Sequence, residues 1–262
     1  MQVIFIFNMN VRAYLNRIAY AGPITPDANT LRQLHLTHLM AVPFENLDIH
    51  NHRSIIVGED AFFRKIVEQN RGGFCYELNG AFAALLRALG FKVILLSARV
   101  PRADGSPGIE FDHLTLRVDL EEPWLADVGF GDSFLEPLRL QVGNEQPQRR
   151  GVFRIVESAD GLLLQRREGD EPWKAEYNFT LTPRQLQDFA GGCHYHQTSP
   201  DSPFTRKRIC SIASPDGRVT LSDMKLIVTK NGRKEERIVE TEEEWRALLK
   251  EHFNVVLDIT MR

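Results

Sequence analysis

One stretch of the sequence joins two glycines, a cysteine and a helical pattern: RGGFCYELNGAFAALLRALG, residues 71–90. Its apolar residues recur every three to four positions, which predicts a helix that ends near Gly90. Cys75 then lies at the helix start, where unpaired backbone N–H groups and the helix dipole favour a thiolate. Gly72 and Gly73 are expected to allow a sharp turn and a close approach of substrate to the backbone. The pattern predicts a presented nucleophile, and a buried structural cysteine is the alternative.

The rest of the chain divides into three parts by its pattern. Up to about residue 90 the periodicity is helical, with candidate helices at residues 10–19, 25–40 and 58–69. From Phe91 the pattern is typical of antiparallel strands, and a short helix can start at Thr182-Pro183. Hairpin turns are predicted at Asp160-Gly161, Asp216-Gly217 and Asn231-Gly232. A capping box at Thr241 predicts a last helix through residue 252. The sequence therefore predicts an α+β protein with domains at residues 1–90, 91–190 and 191–262.

Two residues of the middle part can complete a catalytic set with Cys75. His113 opens a strand in which apolar and polar residues alternate, and it lies on the polar face. Asp127 ends the next predicted strand, so a turn at residues 121–123 would bring it to the same edge of the hairpin as His113. A two-residue turn would instead place Phe130 opposite His113, so the pairing requires a bulge or another register. Cysteine, histidine and aspartate are the nucleophile, base and orienting carboxylate of a catalytic triad, whereas a surface histidine and an unrelated aspartate are the alternative.

The composition excludes several classes of protein. With 262 residues, 43% hydrophobic and 26% charged, the chain can bury a globular core, and its net charge of −3 argues against nucleic acid as a partner. Three widely spaced cysteines are typical of free thiols in a reducing compartment. No stretch is long and apolar enough to predict a membrane span, and residues 1–8 are interpreted as an extension without a signal-peptide pattern. The protein is predicted to be cytoplasmic, and its oligomeric state is left open.

Two other segments were considered as binding sites. Residues 193–196, Cys-His-Tyr-His, contain metal-ligating side chains, but because no second cluster accompanies them, no metal site is predicted. Residues 199–208 form the most basic local stretch and are a candidate for binding phosphate, with a solvated charged surface as the alternative. No glycine motif of the Walker or Rossmann type is present to bind a nucleotide.

Three short segments of the first half resemble the signatures of the arylamine N-acetyltransferase family: residues 43–47 (PFENL), 71–79 (RGGFCYELN) and 127–131 (DVGFG). The resemblance implies an N-terminal helical bundle, a central antiparallel β-barrel-like domain and a C-terminal α/β lid around a Cys-His-Asp core like that of cysteine proteases. It implies acetyl-CoA as cosubstrate, aromatic amines or hydrazines as acceptors, and no permanently bound cofactor. Cys75 would carry the acetyl group, His113 would be its base, and Asp127 would orient His113.

The resemblance also implies supporting roles for Arg71, Glu45 and Asn79, with ordinary polar contacts as the alternative. The candidate contacts to CoA or acceptor are Phe74, Val100, Gly129, Phe130, Gly131 and Phe204. Three rival functions remain: a cysteine hydrolase or transglutaminase-like enzyme with the same triad, an amide-forming acyltransferase of a natural-product pathway, and a non-catalytic binding module. The intact triad disfavours the last of these.

Overall fold

The computed structural model describes residues 9–102 and 104–257, so the predicted extension at residues 1–8 lies outside the described residues. The first part is helical, as predicted. Its elements are α1 (Val11–Arg17), α2 (Ala28–Ala41), the short strand β1 (Phe44–Glu45), α3 (Leu47–His50), α4 (Glu59–Phe63), a π-helical turn (Arg64–Glu68) and α5 (Cys75–Ala88). The predicted start of the second helix at residue 25 is wrong, because the Asp27 side chain caps the helix by accepting from the Thr30 N–H at 2.8 Å.

The central part is a curved antiparallel sheet of eight strands in the order β5-β4-β3-β2-β9-β8-β7-β6. The strands are β2 (Lys92–Arg99), β3 (His113–Asp119), β4 (Pro123–Ala126), β5 (Leu138–Arg139), β6 (Gln146–Gln148), β7 (Gly151–Ser158), β8 (Gly161–Arg167) and β9 (Lys174–Phe179). Its two edge strands meet, because the Gln146 side chain accepts from the Arg139 N–H at 2.8 Å and donates to the Arg139 carbonyl at 3.0 Å. This contact closes the sheet towards a barrel. The predicted barrel-like domain is confirmed.

The last part mixes helices with a second antiparallel sheet, as the resemblance implies. A 3₁₀ turn (Leu186–Phe189) is followed by α6 (Ala190–Thr198), α7 (Pro203–Arg206), β10 (Ile209–Ser214), β11 (Gly217–Ser222), β12 (Lys225–Lys230), β13 (Arg233–Ile238) and α8 (Glu242–Phe253). The short helix predicted at Thr182-Pro183 is wrong, because the helical turn begins only after Gln185, whose N–H donates to Asp188 at 2.8 Å. Thr241 caps α8, as predicted. Trp245 and Leu249 of α8 share a buried apolar cluster with Leu221 of β11.

A strand from the helical part joins the second sheet. Phe44 and Glu45 of β1 pair with Ser211 and Cys210 of β10, which gives the order β1-β10-β11-β12-β13. The same strand also bridges to Gly73, directly before the nucleophile helix. Two of the segments with family signatures are therefore joined through backbone pairing. Within the described residues, no helix has the length and apolar character that crossing a bilayer requires.

Candidate active site

Cys75 is the first residue of α5, the most deeply buried helix of the chain. Every residue from Cys75 to Leu86 is buried, and Cys75 itself is 3% exposed. The preceding glycines do not have a positive φ, so the predicted sharp turn is wrong. They are required for a close approach of the chain instead, because a Cβ atom on Gly72 would lie 1.9 Å from the Pro43 carbonyl oxygen. The segment at β1 therefore fixes the backbone that leads into the nucleophile position.

His113 and Asp127 are neighbours, and the hairpin register explains how. Strands β3 and β4 pair with Leu116 opposite Ala126 and Asp119 opposite Pro123, so the register differs by one residue from that of a two-residue turn. In this register Asp127 follows the last pair and lies diagonal to His113 on the same face, where side chains can reach each other. The His113 Nε2 atom is 2.6 Å from Asp127 Oδ2. The alternative of two unrelated polar residues is wrong.

The Asp127 carboxylate is held by further donors. Asn79 Nδ2 donates to Oδ1 at 2.8 Å, and the Gly129 N–H donates to the same atom at 2.9 Å. Burial alone would raise the pKa of Asp127, but the charge of His113 and the hydrogen bonds from His113, Asn79 and Gly129 outweigh it. The pKa of Asp127 therefore lies below its ordinary value, and the residue is a carboxylate next to the imidazole.

A second histidine, His35 of α2, positions the backbone of Asp127. Its Nε2 atom accepts from the Asp127 N–H at 3.1 Å, and its Nδ1 atom donates to the Leu135 carbonyl at 2.8 Å. Burial lowers the pKa of His35 to about 4, so it is neutral and holds one tautomer. The sequence analysis missed this residue, because a histidine in an amphipathic helix has no local pattern that indicates a partner on a distant loop.

The His113 ring lies between two aromatic side chains. The ring centroid of Phe130 is 5.3 Å away and that of Tyr177, on β9, is 5.2 Å away. The Tyr177 hydroxyl in turn lies 3.2 Å from Thr115 Oγ1. These contacts restrict the imidazole to one orientation and exclude water from the His113–Asp127 hydrogen bond. Tyr177 was also missed, since β9 was not predicted.

The thiol of Cys75 lies in a protected environment. Burial raises its pKa well above the ordinary value, and a hydrogen bond from the Leu114 backbone only partly opposes this effect. The carboxylates of Asp112 and Asp127 raise the pKa further. The helix start favours a thiolate, but burial dominates in the structure. Cys75 is thus a thiol that needs a base before it can react.

Beneath the start of α5 lies a buried ionic network. Arg71 contacts Glu45 at 2.7 Å and Asp48 at 3.0 Å, and Lys65 contacts Asp48 and Glu77 at 2.8 Å each. Glu77 also accepts from the N–H of the residue that caps the nucleophile helix, at 3.1 Å. The network therefore connects two helical segments and β1 to the start of α5. The predicted contact between Arg71 and Glu45 is present, whereas Asp48, Lys65 and Glu77 were missed.

Charge is unevenly shared within this network, which contains two cations and three carboxylates. Burial alone would lower the pKa of Lys65, but Glu45, Glu77 and Asp48 outweigh it, so the pKa is raised and the side chain is charged. Burial raises the pKa of Glu77 to about 7, although Lys65 acts in the opposite direction. The carboxyl group at the helix start is consequently the network's weakest acid.

A cavity of about 830 Å³ opens onto Cys75 and His113. Of the predicted contact residues, five line it: Val100, Gly129, Phe130, Gly131 and Phe204. Phe74 is fully buried and packs edge-to-face on Phe204 with centroids 5.8 Å apart, so in the described part of the chain it supports the wall from behind. Asp127 and Asn79 are likewise buried behind the reacting side chains. The arrangement presents a thiol and an imidazole to a bound molecule.

The other segments singled out from the sequence have different surroundings. His196 contacts Asp112 at 3.0 Å and Ser202 at 3.1 Å, while Cys193 accepts from Gln197 at 3.2 Å. Across residues 9–102 and 104–257, no group of three His, Cys, Asp or Glu side chains could hold a metal ion.

In the basic stretch at residues 199–208, Arg208 pairs with Glu242 at 2.6 Å and stacks on Trp245. Arg206 donates to the Ser202 carbonyl at 3.3 Å and still lines the cavity. The arginines of this stretch therefore have partners within the fold.

Comparison with known proteins agrees with the fold and with this site. A family model described as N-acetyltransferase matches residues 27–262. The arylamine N-acetyltransferase pineal gland isozyme NAT-3 of Gallus gallus is 36% identical, over 95% of each chain. An arylamine N-acetyltransferase / N-hydroxyarylamine O-acetyltransferase of Salmonella typhimurium is 37% identical over 81% of this chain and 76% of its own. Proansamycin X synthase of Amycolatopsis mediterranei is 33% identical over 92% and 95%.

Solved structures are equally similar. The arylamine N-acetyltransferase of Salmonella typhimurium superposes with a TM-score of 0.90 at 34% identity, covering 95% of this chain and 93% of its own. The arylamine N-acetyltransferase of Mycobacterium marinum in complex with CoA gives a TM-score of 0.88 at 31% identity, covering 94% and 93%. The family match over most of the chain, together with relatives above 30% identity, establishes the classification. The chain belongs to the arylamine N-acetyltransferase family, a family of acetyltransferase enzymes.

Proposed function

We propose that this enzyme transfers an acetyl group from acetyl-CoA to the nitrogen of arylamines and arylhydrazines, and to the oxygen of N-hydroxyarylamines, through an acetyl-Cys75 intermediate. One observation carries the proposal: Cys75, at a helix start, and His113, bonded to Asp127, face the same cavity of about 830 Å³. The names of the Gallus and Salmonella relatives and the CoA complex of the Mycobacterium relative support the choice of donor and acceptor.

The first half-reaction begins with a proton transfer. Because burial raises the pKa of Cys75, its thiol is neutral at rest, and His113 removes the proton as the sulfur attacks the acetyl carbonyl. The charge of Asp127 stabilises the imidazolium that forms. The carbon–sulfur bond to CoA then breaks, His113 returns the proton to the CoA sulfur, and the acetyl group remains on Cys75. Backbone N–H groups at the start of α5 stabilise the oxyanion.

The second half-reaction repeats these steps with the amine. An arylamine or hydrazine is unprotonated at neutral pH, so its nitrogen attacks the thioester carbonyl directly. His113 accepts the proton that the nitrogen loses and gives it to the sulfur of Cys75 as the thioester bond breaks. Because CoA leaves before the amine reacts, the kinetics are ping-pong.

The remaining assignments follow from the contacts. Asn79 holds Asp127, and Arg71 with Glu45 belongs to the ionic network under the helix start. We assign these three as supporting residues rather than reacting ones. Val100, Gly129, Phe130, Gly131 and Phe204 are proposed as contacts to CoA or acceptor because they line the cavity, and Phe74 is proposed to support Phe204.

Location and domain limits belong to the same proposal. The three cysteines are free and buried thiols, which supports a reducing compartment and a cytoplasmic enzyme. Domain boundaries near residues 90 and 190 are proposed from the change from helices to the first sheet and from that sheet to the last part. The partners proposed are acetyl-CoA and small aromatic amines or hydrazines.

A second candidate function has one observation in its favour. A relative of nearly equal length is named as a synthase rather than as an arylamine acetyltransferase. The same nucleophile could therefore pass a different acyl group to a different amine, as in an amide-forming step of a natural-product pathway. A cysteine hydrolase would use the same triad but pass the acyl group to water.

The test is acetylation of the protein by acetyl-CoA alone, followed by intact mass spectrometry and peptide mapping. We expect a single acetyl adduct on Cys75, its loss on addition of an arylamine or hydrazine, and no adduct in the Cys75→Ser variant. An unmodified protein that still binds CoA would support a binding module. Rapid loss of the adduct to water, without preference for amines, would support a hydrolase.

A further inference from the structure

Three arginines from separate strands and turns converge on one carboxylate beside the cavity. Arg150 lies before β7, Arg166 on β8 and Arg218 on β11, and we call them the arginine cluster. Arg150 Nη1 lies 2.5 Å and Arg218 Nε 3.3 Å from Asp132 Oδ1, and Arg166 Nη1 lies 3.9 Å from Oδ2. Each arginine side chain is only 11–12% exposed.

The positive charge of the cluster exceeds the buried negative charge that faces it. Burial lowers the pKa of Arg218 to about 10; Asp132 opposes this effect and the neighbouring arginines add to it. Glu168 pairs with Arg166 at 3.0 Å, but this carboxylate is 65% exposed and screened by water. Burial raises the pKa of the nearby Glu176 to about 7, so it contributes only part of a charge at neutral pH. Concentrated guanidinium charge of this kind favours an anion, above all a phosphate.

The cluster lies where two cavities meet. Asp132 and Arg218 line both the cavity with Cys75 and a second one of about 820 Å³, which Arg149, Arg150 and Arg166 also line. Asp132 follows Gly129 by three residues, a separation of at most about 11 Å. Gly129 itself packs against Cys75, since a Cβ atom there would lie 2.8 Å from Cys75 Cα. One molecule with a long arm can therefore reach from the thiol to the arginines.

We propose that the arginine cluster binds the phosphate groups of the acyl donor, while its pantetheine arm runs along the wall at Gly129 to Asp132 towards Cys75. The inference rests on the proposed function, because the donor is taken to be acetyl-CoA. Phosphate oxygens bond to the guanidinium groups that Asp132 alone does not neutralise. The basic stretch at residues 199–208 is the rival position, but its Arg208 is paired with Glu242.

The experiment compares two donors that share the thioester and the arm. Single-turnover acetylation of Cys75 is measured by mass spectrometry with acetyl-CoA and with S-acetylpantetheine, which has no phosphate. In Arg218→Gln and Arg166→Gln, we expect the ratio of the two rate constants at subsaturating donor to fall about tenfold or more, as loss of a charge-assisted bond predicts. Arg233→Gln removes the same charge from an exposed strand and should leave the ratio unchanged.

Several outcomes would overturn the inference. An unchanged ratio in both cluster variants, with thermal denaturation showing that they fold, would mean that the arginines only join the two sheets. A selective fall in Arg206→Gln alone would place the phosphates at the rival stretch. If the wild-type protein were acetylated by neither donor, the proposed function would fail as well. Normal acetylation with an unchanged ratio would remove the phosphate assignment alone.

Discussion

Replacing Glu77 by glutamine should make the stability of the fold less dependent on pH. Glu77 is buried at the start of the nucleophile helix, 2.8 Å from Lys65, with the carboxylates Glu45 and Asp48 nearby. Burial raises its pKa from the ordinary 4.5 to about 7. A carboxyl group with a raised pKa stabilises the folded state fully below its unfolded pKa. That contribution is lost as the pH rises through the folded pKa.

The magnitude follows from the two pKa values. A pKa difference of one costs roughly 1.4 kcal/mol, so the full effect is about 3 kcal/mol. About 2 to 3 kcal/mol of it falls between about pH 5 and about pH 8. Glutamine has nearly the same shape, can still accept from the N–H of Phe74, and does not ionise. The stability of Glu77→Gln relative to the wild type should therefore increase by this amount as the pH is raised.

Urea denaturation followed by tryptophan fluorescence measures the effect at both pH values. The control is Glu68→Gln, which removes an exposed carboxyl group from the same helical segment and should show no comparable trend. A difference between Glu77→Gln and the wild type that does not change with pH would refute the assignment of Glu77 as the weakest acid of the network.

Three other changes test the surroundings of the site. Asp127→Asn should slow acetylation by about 10³- to 10⁴-fold in a rapid-quench assay, because an amide cannot stabilise the imidazolium, and a rate within tenfold of wild type would contradict this role. His35→Leu leaves two buried backbone groups without a partner and should cost about 2 to 5 kcal/mol in urea denaturation; unchanged stability would argue against the buried hydrogen bonds. Gly72→Ala would place a methyl group 1.9 Å from the Pro43 carbonyl oxygen and should destabilise the protein by about 3 kcal/mol or more, whereas Gly191→Ala, with nothing within 4 Å, should be tolerated.

Strong local signals predicted the main elements. Nucleophile helix α5 and last helix α8 combine a cap with an amphipathic pattern, and both form where expected. The Asp-Gly and Asn-Gly turns predicted their hairpins, as in the pairing of β7 with β8. Strands β5 and β6 were missed, because two or three residues are too few to show a period. Helix α6 was also missed, since its two glycines are poor helix formers and its stability comes from packing.

The candidate site shows the same division. The residue types of the triad were identifiable because a cysteine before a helical pattern and a histidine at a strand start are local features. The hairpin register was not, because a shift of one residue changes which side chains meet, and turn sequence alone leaves that shift open. His35 and the partners of Arg71 were beyond reach for a related reason: their contacts join residues far apart in the chain.

By itself, the sequence determined the helix that carries Cys75, the order of the three parts and the chemical types available for reaction, all through short-range propensity and periodicity. Only the tertiary structure decided the protonation of the site. Burial makes Cys75 a neutral thiol, and the donors around Asp127 keep that residue a carboxylate. The reason is physical: desolvation and charge pairing depend on which distant segments pack together. No local pattern specifies them.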